Sequence, residues 1–212
     1  MQPRTSQLLD RLSESATIAM SRKARELKAA GRDIISLSLG EPDFDTPDPI
    51  KAAGIRAIEE NHTHYPPVPG FADVRQAICA KLQRDNGLSY QPDQIVVSTG
   101  AKHSLMNVVL SLVDTGDEVI LPTPFWVSYA DMVNLAGGQV VEVHTGIAQD
   151  FKMTADQLRH ALTERTRVVM LNSPNNPSGS VYTDAPETRC ALRVVTRSNA
   201  TPWHRRARKP LA

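Results

Sequence analysis

Two cysteines in 212 residues, Cys79 and Cys190, are too few and too far apart for a disulfide framework. Neither has C-x-x-C or metal-ligand spacing, so both read as free thiols of a reducing compartment. No apolar run reaches the roughly 18 residues that a membrane-spanning helix needs. The polar start, Met1 to Asp10, lacks the apolar core of a secretory signal. The nucleotide and hydrolase signatures GxGxxG, GxxxxGK[ST], GxSxG and HExxH are all missing. His62 and His64 stand two apart in a loop, and His103, His144, His160 and His204 have no partner spacing, so no metal site is expected. A formal net charge of +1 gives the whole chain no electrostatic case for nucleic acid or a membrane surface.

Charge is nevertheless uneven. From Asp184 onward, Arg189, Arg193, Arg197, Arg205, Arg206, Arg208 and Lys209 face only Asp184 and Glu187. Before that point the chain is acidic and its hydropathy is strongly patterned. Helical spacing predicts a helix over 17–30, stopped by Gly31. Asp48-Pro49 predicts an N-cap and first turn, followed by Ile50, Ala53, Gly54, Ala57 and Ile58 on one face. Pro66, Pro67, Pro69 and Gly70 make a loop, and 72–84 is helical again.

Short β-rich runs are expected at 34–38, 95–98, 118–121, 140–143 and 168–171. From the 95–98 run onward they alternate with helices over 101–112 and 127–135 and from Thr154, where Thr-x-x-Gln forms a capping box. Apolar strands alternating with amphipathic helices predict an α/β fold, a mostly parallel sheet with helices on both faces. Ligands of such sheets bind at the carboxyl ends of the strands, so the segments after each strand are the candidates.

Those segments are rich in chemistry. Ser98-Thr99-Gly100-Ala101-Lys102 opens a helix, where small residues and unpaired N–H groups suit a phosphate. Pro122-Thr123-Pro124-Phe125-Trp126 is a stiff segment delivering a ring able to stack on a flat ligand. Asn172 to Gly179 carries carboxamides that can bond a ligand oxygen. Gly40 exposes backbone before the 48–58 helix. Each segment alone is equally compatible with an ordinary turn, a core tryptophan or a capped loop.

Their order and spacing carry more. Leu39-Gly40-Glu41-Pro42-Asp43-Phe44, His64-Tyr65-Pro66-Pro67, Thr99-Gly100-Ala101-Lys102, Pro124-Phe125-Trp126-Val127-Ser128-Tyr129 and Asn175-Asn176-Pro177-Ser178-Gly179 together resemble the class I, fold-type-I aminotransferases dependent on pyridoxal 5'-phosphate, on their bacterial aspartate aminotransferase branch. The resemblance covers residues 10–183. It implies an N-terminal arm and small-domain segment over 1–45 and the first part of the cofactor-binding large domain over 46–183; the basic tail over 184–212 is unmatched and is expected to be disordered.

It also implies roles. Gly100, Ala101 and Lys102 hold the cofactor phosphate, Gly100 and Ala101 through their backbone N–H groups. Tyr65 reaches the phosphate of the neighbouring subunit in a homodimer. Trp126 stacks on the pyridine, Asn176 bonds its 3′ oxygen and touches substrate, and Gly40 lines the substrate carboxylate site. The substrates implied are an amino acid and a 2-oxo acid, with L-aspartate and 2-oxoglutarate foremost, in a cytoplasmic enzyme. A related lyase or synthase, or an aromatic or prephenate aminotransferase, shares these same motifs.

The family's Schiff-base lysine, the acidic partner of its ring nitrogen and its arginine fork all follow the Asn-Pro-x-Gly motif. No matching segment follows Gly179 here, so an inactive fragment is the expectation for this chain. The tail's composition suggests a frameshift or disrupted gene rather than a nucleic-acid arm. An apolar sheet face left uncovered would make the chain poorly soluble or molten.

Overall fold

The computed structural model describes residues 6, 8–9, 12, 15–37, 40–182 and 192–196. Ser38 and Leu39, Cys190, Lys209 and the tail outside 192–196 lie outside the described residues. The chain forms two compact units, Glu14–Ser104 and a second whose body begins at Leu105.

The first unit is helical. Helix α1 spans Ala16–Ala29, α2 spans Asp48–Glu59 and α3 spans Ala72–Asn86. Gly31 (φ +78°) and Gly87 (φ +65°) follow α1 and α3 in the left-handed region, which a residue bearing Cβ adopts only at a cost. Two sequence expectations need correction here. The N-cap of α2 is Pro47, not Asp48, whose carboxylate instead accepts from Lys51 Nζ at 3.3 Å inside the first turn. Neither the described part of the 34–38 run, residues 34–37, nor the run at 95–98 is a strand. Ile35 and Leu37 are exposed. The 95–98 stretch makes one long-range backbone bond, Val97 N–H to Pro69 O at 3.0 Å. β-propensity makes a segment extended, but a strand also needs a ladder partner.

In the second unit the alternation holds. Helix α4 (Gly100–Leu112) begins in the first unit and ends in this one. It is followed by β1 (Glu118–Thr123), α5 (Ser128–Ala136), β2 (Gln139–His144), α6 (Ala155–Ala161) and β3 (Thr166–Asn172). The sheet order is β2-β1-β3-β4, with β1 parallel to both β2 and β3. Strand β4 (Leu192–Thr196) pairs antiparallel to β3. The expectation of a disordered tail therefore fails over 192–196. There the β-branched pair Val194-Val195 meets an open edge of β3, opposite Met170 and Val169.

Period-2 alternation sorts the strand residues onto two faces. Val119, Leu121, Val168 and Met170 point to one side and pack with Leu105 and Val109 of α4 and Tyr129, Met132 and Val133 of α5. Ile120, Val143 and Val169 point to the other and pack with Met153 and with Leu158 and Ala161 of α6. Helices thus cover both faces, as the alternation predicts. The capping box of α6 is as expected: Gln157 N–H donates to Thr154 Oγ1 at 3.2 Å, and Thr154 N–H donates to Gln157 Oε1 at 2.9 Å.

At the amino end of β1, Glu118 is buried. Thr163 Oγ1 donates to it at 2.5 Å, and Arg165 donates through Nη2 at 2.6 Å and Nε at 2.9 Å. The bond from Thr163, then those from Arg165, hold the carboxyl below its ordinary 4.5 against the opposing effect of burial. The folded value lies below the unfolded one. The stabilisation is therefore complete above the unfolded value and disappears as pH falls through the folded value. At neutral pH, Glu118→Gln is expected to cost about 1–3 kcal/mol. Urea unfolding followed from about pH 6 to about pH 3 should show this gap closing in acid.

Candidate active site

The carboxyl ends of β1 and β3 are neighbours because the two strands are adjacent and parallel. Beyond β1 the chain turns through Pro124 and Phe125 to Trp126, whose ring stands edge-on to Tyr129 at 5.5 Å and 87°. Trp126 is half-buried and packs against the core cluster beneath it. Beyond β3 lies the polar loop from Ser173 to Ser180. Asn176 sits exposed in it, its N–H donating to Asn172 Oδ1 at 2.8 Å. Between the two segments is a small pocket lined by Pro122, Pro124, Phe125, Tyr129, Met170, Leu171, Asn172, Asn175 and Tyr182.

Three features of this edge are not legible from the motifs. Asn175 Nδ2 donates to Pro124 O at 3.1 Å and to Ser178 Oγ at 2.8 Å, so one carboxamide joins the two strand-end segments. Tyr182 turns back toward the sheet, and its hydroxyl accepts from Met153 N–H at 2.7 Å. At the tip of β1, Thr123 Oγ1 and His144 Nδ1 lie 3.1 Å apart, and Thr145 Oγ1 donates to Thr123 O. Burial raises both the Tyr129 and Tyr182 hydroxyls above the ordinary phenol value, so both rings stay neutral at physiological pH. A signal for Asn175 was present in the Asn-Asn pair, but its partner Pro124 is 51 residues away.

The remaining expected site residues belong to the first unit. Gly100 opens α4 at φ +80°, with open space where a Cβ would stand. Two N–H groups at this helix start are already engaged. Gly100 N–H donates to Ser98 O at 2.8 Å, and Thr99 N–H donates to His103 Nδ1 at 3.2 Å. A phosphate here would meet the following N–H groups, from Ala101 on, and the Lys102 side chain first. Gly40 and Tyr65 are exposed in loops, Tyr65 fully so. The structure thus brings Trp126 and Asn176 to one sheet edge, while Gly40, Tyr65 and Gly100–Lys102 lie elsewhere in sequence and unit.

Among the described residues, no three His, Cys, Asp or Glu side chains group to hold a metal. Nor is any helix among them long and apolar enough to cross a membrane.

Comparison with known proteins is consistent across sequence and structure. The sequence profile of aminotransferase class I and II matches residues 32–202, so the match includes the first part of the basic tail. An aspartate/prephenate aminotransferase of Cereibacter sphaeroides is 53% identical over 180 residues, which is 85% of this chain and 45% of that protein. An aspartate aminotransferase of Geobacillus stearothermophilus is 51% identical over 173 residues, covering 81% and 44% respectively. The structure of aspartate aminotransferase from Thermus thermophilus with maleate superposes with a TM-score of 0.82 at 43% identity, covering 86% of this chain and 48% of that one. The chain spans a little under half the length of the curated relatives it matches.

Proposed function

The chain belongs to the class I and II aminotransferase family, and from that premise we propose that it is the amino-terminal part of an enzyme moving an amino group between an amino acid and a 2-oxo acid through pyridoxal 5'-phosphate. The observation carrying this reading is the placement of Trp126 and Asn176 at the adjoining carboxyl ends of β1 and β3, where a parallel sheet binds its ligand. The residue types fit the cofactor: a flat ring for a flat ring, a carboxamide for its 3′ oxygen, and a glycine-led helix start with Lys102 for its phosphate. Bound there, the cofactor supplies an electron-withdrawing ring that lets the amino acid's α-proton depart.

The chain's own residues do the holding. Trp126 covers the ring face and excludes water from it. Asn176 donates to the 3′ oxygen and fixes the in-plane rotation of the ring. Ala101 N–H and Lys102 carry the phosphate, with Gly100 giving room for close approach. Gly40 leaves space for the substrate carboxylate, and Tyr65 serves the neighbouring subunit of a homodimer. The arm and small-domain segment are residues 1–45, and the cofactor-binding domain runs from 46 to 183. That division belongs to the family enzyme and differs from the line at Ser104/Leu105 between the compact units here.

Aspartate is the proposed amino donor and 2-oxoglutarate the acceptor, in the cytoplasm. The Thermus relative is shown with maleate, a four-carbon dicarboxylate like aspartate, and the Cereibacter relative's name adds prephenate. A second reading rests on the coverage of less than half of those relatives: a fragment that holds the cofactor weakly and does not turn over by itself.

Titrating the chain with pyridoxal phosphate should quench Trp126 emission saturably. Trp126→Ala should weaken binding about tenfold, the scale of one lost ring–ring contact, and Trp126→Phe should retain most of the affinity. Binding that ignores the Trp126→Ala substitution would rule out the stacking role.

A further inference from the structure

We infer that Asn175 is a positioning residue that sets Trp126 and Asn176 in one fixed geometry; the inference rests on the reading that those two side chains hold the cofactor. Asn175 is bonded through its N–H, its carbonyl and its carboxamide NH₂. Its N–H donates to Ser180 O at 2.9 Å, and its carbonyl accepts from Gly179 N–H at 2.8 Å. These two bonds close the turn that carries Asn176. Its carboxamide NH₂ donates once inside that turn, to Ser178 Oγ at 2.8 Å, and once out of it, to Pro124 O at 3.1 Å.

Pro124 is two residues before Trp126, and its carbonyl only accepts, so the NH₂ orientation follows from chemistry. A single planar group therefore ties the ring-bearing segment to the turn bearing Asn176. The segment from Pro124 to Trp126 lies outside any strand or helix, so no secondary-structure ladder fixes it. A part-buried amide bond is the kind of link that can. Asn176 itself cannot do this, since its side chain is exposed and its N–H is spent on Asn172.

Asn175→Asp keeps the shape and replaces the donor by an acceptor facing a carbonyl. Asn175→Ala removes the group, and Ser178→Ala removes only the bond inside the turn. The readout without cofactor is the near-ultraviolet circular dichroism band of Trp126, assigned as the difference between the 212-residue chain and its Trp126→Phe variant. Both Asn175 variants should lose this band while far-ultraviolet signal and thermal transition stay put. Ser178→Ala should keep it. With cofactor, both Asn175 variants should bind pyridoxal phosphate about tenfold more weakly.

An unchanged Trp126 band in Asn175→Asp would overturn the inference. So would a parent chain with no Trp126 band, a Ser178→Ala variant as damaged as Asn175→Ala, or loss of far-ultraviolet signal in both Asn175 variants. A parent chain that shows the band but does not bind the cofactor would instead sink the functional reading, leaving the role of Asn175 in fixing the ring intact.

Discussion

Reducing the 212-residue chain with borohydride in the presence of pyridoxal phosphate should leave no stoichiometric adduct on any single lysine. The sequence contains Lys23, Lys28, Lys51, Lys81, Lys102, Lys152 and Lys209. Among the described residues, no lysine lines the pocket between the ends of β1 and β3. Lys152, in the same unit, is held by Asp150 at 2.7 Å. Lys51 and Lys81 pair with Asp48 and Asp85 on exposed helix faces. Lys102 stands at the start of α4, and the proposed function gives it the phosphate end of the cofactor and not the aldehyde. Where no lysine of these 212 residues carries the proton between substrate and cofactor, their turnover alone should lie at least about 10²–10⁴ below that of an enzyme with such an amine, the scale of general acid–base catalysis. Adding the part of the Cereibacter relative that this chain does not match, as a separate polypeptide, should raise aspartate transamination from background by a comparable factor. A clean single-site adduct on Lys102 in the chain alone would defeat this account, and mass spectrometry of the reduced protein decides it.

Leu121→Ala should destabilise the second unit by about 2–5 kcal/mol, the usual cost of removing a fully buried leucine side chain. Leu121 is 0% exposed and sits in the cluster that joins β1 to α4 and α5. It also lies two residues before Thr123, at the base of the segment leading to Trp126. Relaxation of the cavity would therefore be felt at the proposed ring site as well as in stability. Leu110→Ala is the matched comparison: same chemistry on α4, but 56% exposed, with an expected change within about 0.5 kcal/mol. Urea unfolding monitored by far-ultraviolet circular dichroism measures both. Equal losses for the two variants would mean that the two-faced core around β1 is not what holds this unit together.

How much of this was readable in the sequence differs from element to element. The strands at 118–121, 140–143 and 168–171 were legible because each has a period-2 or continuous apolar pattern and an amphipathic helix beside it. The runs at 34–38 and 95–98 have the same local character, yet residues 34–37 and 95–98 are not strands, because pairing is supplied by another segment and no local pattern records it. Conversely β4 arises in a basic stretch that composition marks as unstructured. There a β-branched pair meets the open edge of β3, and that pairing decides over composition. At the site, Trp126 and Asn176 were visible as the residue types that follow strands. The link made by Asn175 was not, since nothing in an Asn-Asn pair says which carboxamide faces a carbonyl 51 residues away. Glu118 gave no sign that Thr163 and Arg165 would take its charge, for the same reason.

By itself, then, the sequence determined what is local: helix periods, the Thr154–Gln157 capping box, the glycine stop after α1, and the ordered motifs that mark the family. Local backbone geometry and side-chain spacing suffice for these, and both are written residue by residue. The tertiary structure decided which extended runs found a ladder, which polar groups met across the sheet edge, and which leucine is core. Each of these needs two stretches of chain to meet in space, and a hydrogen bond or packed contact is specified by that meeting rather than by either stretch alone.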